Sequence, residues 1–236
     1  MKKTICILTI LLSFITNLEA GKRPPHKEII ENYKKMLKPF VLELIKRKNY
    51  FPEGTITKTS ISKCYRIGVE QDGLSIPSGS NVKMINFLSI YREERKSVKS
   101  WIIMHKNKIY CIPNDNIKPK EKIIVMEGKG VGSEAFARYI LLENDTYIQV
   151  FETLGPYGGG YPVPLHATVR GEYTRTENKI TLCIKEDWSQ SEFFKKKIKN
   201  QECTVLIKYT GNSKDFQGKW VIGKNRALVI EEYIFE

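Results

Sequence analysis

The sequence contains few of the residues that most catalytic and metal sites require. It has only three histidines, His26, His105 and His166, in 236 residues. No Cys-x-x-Cys or His-x-x-x-His spacing occurs, which argues against a zinc site. No Gly-x-Ser-x-Gly motif marks the nucleophile of a hydrolase. We therefore expect neither a metal nor a cofactor.

Long apolar runs are also scarce, and the one near the start is typical of an export signal. Lys2 and Lys3 precede an apolar stretch over 5–15, and Leu18-Glu19-Ala20 offers a cleavage site. A retained membrane anchor is the alternative, but the stretch is about half of the roughly 20 residues that a spanning helix needs. We predict a signal peptide over 1–20, a secreted or periplasmic protein, and no integral membrane segment after cleavage.

Cysteine is rare, and export changes how its count is interpreted. Cys6 leaves with the signal, so four cysteines remain: Cys64, Cys111, Cys183 and Cys203. An even number in an exported chain favours two disulfide bonds. Three pairings are open. We favour Cys64 with Cys111 and Cys183 with Cys203, because each pair then lies within one half of the chain.

Acidic residues are too few to balance the basic ones. The formal charge is +13, and removal of residues 1–20 leaves 37 basic minus 25 acidic residues, or +12. Such a charge attracts polyanions such as acidic polysaccharides, anionic lipid surfaces, wall polymers or extracellular nucleic acid. The alternative is that lysine serves here only as the solvating residue.

Hydrophobic periodicity predicts a mainly β protein behind one helix. Apolar residues over 26–48 step by one and three, which indicates an amphipathic helix that Pro39 kinks or splits. We predict that this helix packs on the domain behind it. From Gly54 onward the pattern alternates, as in strands. Strands are predicted at 55–60, 63–69, 81–91, 100–104 and 108–113, with a turn at Lys106-Asn107.

The second half reads as about eight strands joined mostly by short turns, the pattern of an up-and-down barrel. The predicted strands are 122–126, 137–142, 147–153, 167–174, 179–184, 204–209, 219–222 and 227–235.

The first half resembles the small barrel of the Src-homology type and its bacterial wall-targeting relatives. The resemblance is carried by residues 74–82, by Ser100-Trp101-Ile102-Ile103 and by 109–113. It implies a small β-barrel. Arg92, Arg95, Lys96 and Lys99 occupy the stretch where peptide-binding members have an acidic loop, so proline-peptide binding is not expected.

The second half is similar to lipocalin-like, calycin-type barrels. The similarity is carried by residues 145–150, 171–174, 178–182 and 216–220. It implies an architecture more than an activity, with a small hydrophobic ligand in the barrel among the open partners. The predicted organisation is therefore a signal peptide over 1–20, a leader and helix over 21–53, a small β-barrel over 54–119 and a lipocalin-like barrel over 120–236.

Two segments are candidates for ligand binding. Tyr157, Gly159 and Tyr161 belong to a glycine-rich loop closed by prolines, a type that often lines a ligand mouth, although a plain connection is equally common. The run that contains Lys195, Lys196 and Lys197 mixes cations with apolar anchors, as polyanion or membrane-surface patches do. A solvated face is the alternative.

The sequence supports a catalytic function less well than a binding function. Gly128 to Ser133 resembles a phosphate loop but lacks its glycine spacing. Adjacent Glu186 and Asp187 on a strand would point to opposite faces, which argues against shared chemistry. We therefore predict a secreted, disulfide-stabilised, non-enzymatic binding protein with an anionic or protein partner. The alternatives are a small basic nuclease-like hydrolase using His105 or His166, and an inhibitor or decoy that binds a partner protein through the Tyr157 loop.

Overall fold

The protein is described by a computed structural model in which most of the chain forms β-strands. The residues described are 41–61, 75–93, 96–130, 136–154, 162–188, 203–212, 214, 216–222 and 228–236. The predicted signal peptide, and the predicted helix before residue 41, lie outside these ranges. Within them, no helix is long and apolar enough to cross a bilayer. The predicted mainly β class is confirmed.

The first half forms a five-stranded antiparallel sheet of order β6-β5-β4-β1-β7, beside a separate two-stranded pair, β2 and β3. Two single-turn 3-10 helices, Lys48–Tyr50 and Asn114–Asn116, precede β1 and β7. The strands are β1 Glu53–Ile56, β2 Ser60–Ile61, β3 Ser75–Ile76, β4 Asn81–Glu93, β5 Lys96–His105, β6 Lys108–Pro113 and β7 Ile117–Pro119.

The predicted turn at Lys106-Asn107 is confirmed, and its backbone explains the tight hairpin. His105 pairs with Lys108, and the two residues between them have φ values of 49° and 61°. Positive φ at both central positions suits a two-residue hairpin, because this turn follows the right-handed twist of the flanking strands. The tip of the β5–β6 hairpin is therefore fixed in place.

The second half is a closed barrel of eight antiparallel strands in which each strand pairs with the next and β15 returns to β8. This confirms the predicted up-and-down order. The strands are β8 Ile123–Gly130, β9 Phe136–Leu142, β10 Thr146–Leu154, β11 Pro162–Arg175, β12 Lys179–Asp187, β13 Thr204–Lys208, β14 Trp220–Ile222 and β15 Leu228–Phe235.

The barrel lumen is lined by large side chains. Tyr139, Tyr147 and Trp220 belong to one buried cluster with branched residues from the surrounding strands. Near the ends of β11 and β15, Glu232 accepts hydrogen bonds from Arg175 at 2.7 Å and from the Trp220 indole at 2.9 Å. This end of the barrel is therefore occupied by packed and paired side chains.

The outer faces of β8 and β9 form part of a second core that they share with the five-stranded sheet. Ile123, Val125 and Ile140 belong to the same buried cluster as Phe87 and Trp101 of the sheet. Residues on both faces are buried or half-buried over 123–126 and 139–142, which explains the apolar runs at these positions. The predicted boundary at Pro119 falls between β7 and β8, where the covalent link is short and the packing continues across it.

A third core lies on the other face of the sheet and contains the start of the described chain. Leu44 of the helical residues 41–46, together with Phe51, packs with Ile85 and Ile102 of the sheet and with Trp188 after β12. Leu44 and Phe51 are almost fully buried. The described part of the helix thus packs against both sheets.

Polar contacts around Glu186 reinforce this junction. Its carboxylate accepts hydrogen bonds from Arg170 at 2.9 Å, the Trp188 indole at 3.0 Å and Arg47 at 3.3 Å. The Arg47 guanidinium also lies 4.9 Å from the Trp188 ring centre, and that of Arg170 lies 4.7 Å from the ring centre of Tyr50. One carboxylate therefore joins the segment after the helix to β11 and β12.

Gly171 lies on β11 where no side chain fits. A Cβ at this position would meet the carbonyl oxygen of Cys183 and the ring of Tyr147. Because the carbonyl is backbone and cannot move aside, we expect Gly171→Ala to lower the free energy of unfolding by about 1–3 kcal/mol. Urea titration measures this, with Glu172→Ala on the exposed face of the same strand as the control. Equal stability of the two variants would contradict the packing.

The junction at Glu186 predicts a pH dependence. The Trp188 indole, followed by Arg170, holds the pKa of Glu186 below its ordinary range. A folded pKa below the unfolded one stabilises the fold above roughly pH 4.3, and this contribution is lost as the pH falls through the folded value. We expect Glu186→Gln to lower stability at neutral pH by about 0.5–1 kcal/mol, since the pair is partly screened by solvent. Its stability should also fall less steeply in acid than that of the wild type. Parallel curves in urea titrations from about pH 7 to pH 3 would refute this role.

Candidate anion-binding groove

The residues predicted to bind ligand lie outside the described ranges. These are Tyr157, Gly159, Tyr161, Lys195, Lys196 and Lys197, and their role stays a prediction. The predicted disulfide between Cys183 and Cys203 is present, with the two Cα atoms 4.3 Å apart. Cys111 is also disulfide-bonded, and its predicted partner Cys64 lies outside the described residues.

A groove of about 220 Å³ opens between the first 3-10 turn and the tip of the β5–β6 hairpin. It is lined by Lys48, Glu53, Asn81, Val82, Lys83, Met104, Lys106 and Asn107. Lys48 comes from the 3-10 turn, Lys83 from β4 and Lys106 from the hairpin tip. Three ammonium groups and one carboxylate therefore share a small concave surface.

The carboxylate in the groove is already neutralised by protein cations. Glu53 contacts the Lys83 ammonium at 2.9 Å and that of Lys120 at 3.1 Å. These hydrogen bonds, with Lys83 first, hold the pKa of Glu53 below its ordinary range. Among the described residues no carboxylate contacts Lys48 or Lys106, so their charges are available to a ligand.

Local structure positions the groove's cations. The Lys48 ammonium donates to the Asn107 side-chain oxygen at 3.5 Å, across a sequence separation of 59 residues. Below the hairpin tip, the Nδ1 atom of His105 lies 3.2 Å from the carbonyl oxygen of Asn81. The first contact links the hairpin tip to the 3-10 turn, and the second links the end of β5 to the start of β4.

The described residues do not assemble the predicted catalytic alternative. His105 ends β5 in the first sheet, whereas the backbone of His166 lies in β11 of the barrel. The described contacts of His105 are the Asn81 carbonyl and the Tyr110 ring, and neither activates a general base. The strand register places Glu186 opposite Arg170 and Asp187 opposite Val169, on different faces as predicted. No group of three or more metal-ligating side chains occurs in the described part of the chain.

The aromatic residue that carries the Src-homology resemblance is buried. Trp101 is fully inaccessible, its ring centre lies 5.2 Å from that of Phe235 on the last barrel strand, and its indole donates to Asn114 at 3.1 Å. A peptide cannot reach it while β15 covers this face.

Comparison with protein-family models, curated proteins and solved structures finds no match.

Sequence reasoning missed the groove, because its residues are far apart in the chain. Lys48, Lys83 and Lys106 sit in three separate segments, and only the strand pairing brings them together. The one local signal was the Lys106-Asn107 turn flanked by His105 and Lys108. A basic hairpin tip of this kind indicates an exposed positive charge. The other residues that form a groove with it can be identified only from the fold.

The disulfide predicts a measurable stability difference. Cys183 and Cys203 are separated by 20 residues, and closing such a loop stabilises a fold by about 3 kcal/mol in the chain-entropy model. We expect Cys183→Ala combined with Cys203→Ala to lower the free energy of unfolding by about 2–4 kcal/mol in denaturant titrations. Reducing agent should lower the stability of the wild type more than that of the double variant, which no longer contains this bridge. Unchanged stability of the double variant would contradict a structural role.

Proposed function

We propose that this chain is an exported, disulfide-stabilised binding protein without catalytic activity, which recognises anionic groups through the groove of Lys48, Lys83 and Lys106. The observation that carries the proposal is the pair of groove cations, Lys48 and Lys106, that no described carboxylate neutralises. The charge of +12 that remains after removal of residues 1–20 (37 basic minus 25 acidic residues) adds long-range attraction, which raises the rate at which anionic partners meet this surface.

The size of the groove supports recognition of a charged group on a larger partner. Pockets for drug-sized molecules usually enclose about 300–1,000 Å³. The groove holds about 220 Å³, enough for a sulfate, phosphate or carboxylate with part of its carrier. Acidic polysaccharides and other polyanions present such groups repeatedly, so they are the partners we favour.

Three carboxylates within the described chain are engaged by cations and indoles of the fold, which supports a binding role over catalysis at these positions. Glu127 pairs with Arg138, Glu186 is held by two arginines and an indole, and Glu232 is held by Arg175 and an indole. A general acid or base must lie within hydrogen-bonding distance of the substrate atom that gains or loses the proton. These carboxylates are used instead to join elements of the fold.

We further propose a finer description of the two sheets. The order β6-β5-β4-β1-β7, with a 3-10 turn immediately before β7, supports a Src-homology-type small barrel. The sequential eight-stranded barrel supports a lipocalin-like architecture. In this arrangement the small barrel carries the anion groove, and its Trp101 face is used for packing against β15.

The test is a matched pair of charge reversals. We expect Lys48→Glu with Lys106→Glu to weaken binding of heparin and of inorganic polyphosphate by at least about tenfold at low salt, and to reduce the salt slope by about one unit per lost contact. The control, Lys179→Glu with Lys214→Glu, makes the same change in net charge at exposed barrel positions.

The dissociation constant of the control variant is expected to stay within about threefold of that of the wild type. Salt screens charges that lie far from the bound ligand, so a change in net charge alone has a small effect. Isothermal titration calorimetry between about 50 and 200 mM salt measures the affinity of both double variants and of the wild type. Equal weakening by the two double variants, or no binding by the wild type, would reject the groove as the site.

A further inference from the structure

The polar face of the five-stranded sheet continues beyond the anion groove. Glu53 on β1 pairs with Lys83 on β4, and Thr55 pairs with Asn81. On its other side Thr55 pairs with Lys118 of β7. Residues directly opposite each other in an antiparallel pair share a face, as do residues two apart in one strand. All five side chains therefore lie on one face, at the end of the sheet where the groove opens.

This end of the face is open to solvent, whereas the opposite face is buried. The residues that alternate with the polar ones belong to the core shared with the barrel: Ile56, Val82 and Ile117. Lys118 is exposed. Within the described chain no carboxylate contacts its ammonium group, so its charge adds to the charges of the groove.

Glu53 shows how an anionic group is held on this surface. Its Oε1 atom contacts the Lys83 ammonium at 2.9 Å, and its Oε2 atom contacts that of Lys120 at 3.1 Å. The backbone N–H of Lys120 also donates to the Glu53 carbonyl oxygen at 2.9 Å, which places this lysine beside β1. The protein's own carboxylate therefore occupies a position for which a sulfate or carboxylate of a ligand would compete.

The cations on this face belong to successive strands. The sheet order places β5, β4, β1 and β7 side by side, with Lys106 just beyond β5 and Lys118 on β7. Neighbouring strands are about 4.8 Å apart, so three spacings separate β5 from β7 by roughly 14 Å. A single sulfate or carboxylate fills only the groove. The whole row suits a chain that carries several anionic groups.

Negative charge bounds this row on the side of the barrel. Glu121 lies between β7 and β8, and the Glu143 carboxylate accepts a hydrogen bond from the backbone N–H of Lys122 at 3.2 Å. Burial raises the pKa of Glu121, and the charge of Glu143 raises it further. A polyanion is repelled by these two carboxylates, so it follows the strands of the sheet and not the junction with the barrel.

Uncharged polar groups lie among the cations, which favours a polysaccharide over other polyanions. Asn81 and Thr55 share a row with Lys118, and Asn107 lines the groove. Amides and hydroxyls both donate and accept hydrogen bonds, as sugar hydroxyls do. Proteins that bind single-stranded nucleic acid stack its bases on aromatic side chains. The groove lining includes no aromatic residue, and neither do the positions added by β1 and β7.

We propose that one linear acidic polysaccharide binds along a cationic track that crosses the sheet and consists of Lys48, Lys106, Lys83, Lys120 and Lys118. The inference rests on the proposed anion-binding groove and extends it across β1 to β7. Glu53 is an internal competitor, because an acidic group of the polysaccharide displaces it from its two lysines. Affinity therefore depends on the length of the chain, which a site for one anionic group does not require.

The test compares a heparin-derived disaccharide with an octasaccharide, using the whole protein with its disulfides intact. Isothermal titration calorimetry at about 50 mM salt measures both affinities. We expect the octasaccharide to bind at least about tenfold more tightly, which exceeds the roughly fourfold statistical gain from its four repeats. The salt slope should be steeper for the octasaccharide by about one unit for each added contact.

A single charge reversal tests the far end of the track. Lys118→Glu should weaken binding of the octasaccharide about fivefold and change that of the disaccharide less than about twofold. Lys179→Glu makes the same change in net charge at an exposed position of the barrel. This control should change neither affinity by more than about twofold, because salt screens distant charges.

Removal of the internal competitor should increase binding. We expect Glu53→Gln to raise the affinity for the octasaccharide about threefold, because it releases Lys83 and Lys120 to the ligand. The matched control is Glu172→Gln on the barrel, which makes the same change in net charge and also releases a lysine, Lys185, from a contact at 3.1 Å. Its affinity should stay within about 1.5-fold of the wild-type value.

The possible outcomes separate the track from the groove. Circular dichroism shows which variants are folded. Disaccharide binding with no gain from the octasaccharide and no effect of Lys118→Glu would overturn the track and leave the groove standing. No binding of either sugar would reject both. Weaker octasaccharide binding by folded Glu53→Gln, or tighter binding of a polythymidylate of equal charge than of the octasaccharide, would also overturn the proposal.

Discussion

The packing of the barrel wall against the five-stranded sheet is the contact on which the rest of the structure depends. Ile123, Val125 and Ile140 are fully inaccessible although they point away from the barrel lumen. Burying an aliphatic side chain contributes roughly 1.5–3 kcal/mol, so this shared wall is among the strongest stabilising features of the fold. It also covers Trp101 and thereby removes the sheet's aromatic surface from binding.

Charged residues divide into two groups with different consequences. Inside the fold, Glu127 and Arg138 form an ion pair with 2% and 4% exposed side chains, and such pairs fix geometry more than they add stability. At the surface, Lys48 and Lys106 are exposed cations. The exposed pair is the one through which we propose that the chain meets an anionic partner.

Local patterns in the sequence predicted much of the fold, because strands and turns are specified by neighbouring residues. The strands of the barrel, the Lys106-Asn107 turn and the Cys183–Cys203 bridge are all features of this kind. Features that depend on distant partners were missed. The apolar run of β8 can be explained by burial on both faces only when the sheet packed against it is known. In the same way, the glycine at position 171 can be explained only when the Tyr147 ring and the Cys183 carbonyl that approach it are known.

The central structural claim is that sheet and barrel share one core and unfold together. Differential scanning calorimetry at neutral pH, with the disulfides intact, tests it directly. One transition whose calorimetric and van't Hoff enthalpies agree is the predicted result, since the shared wall couples the two halves. Two separable transitions, with the sheet and the barrel melting independently, would contradict the account.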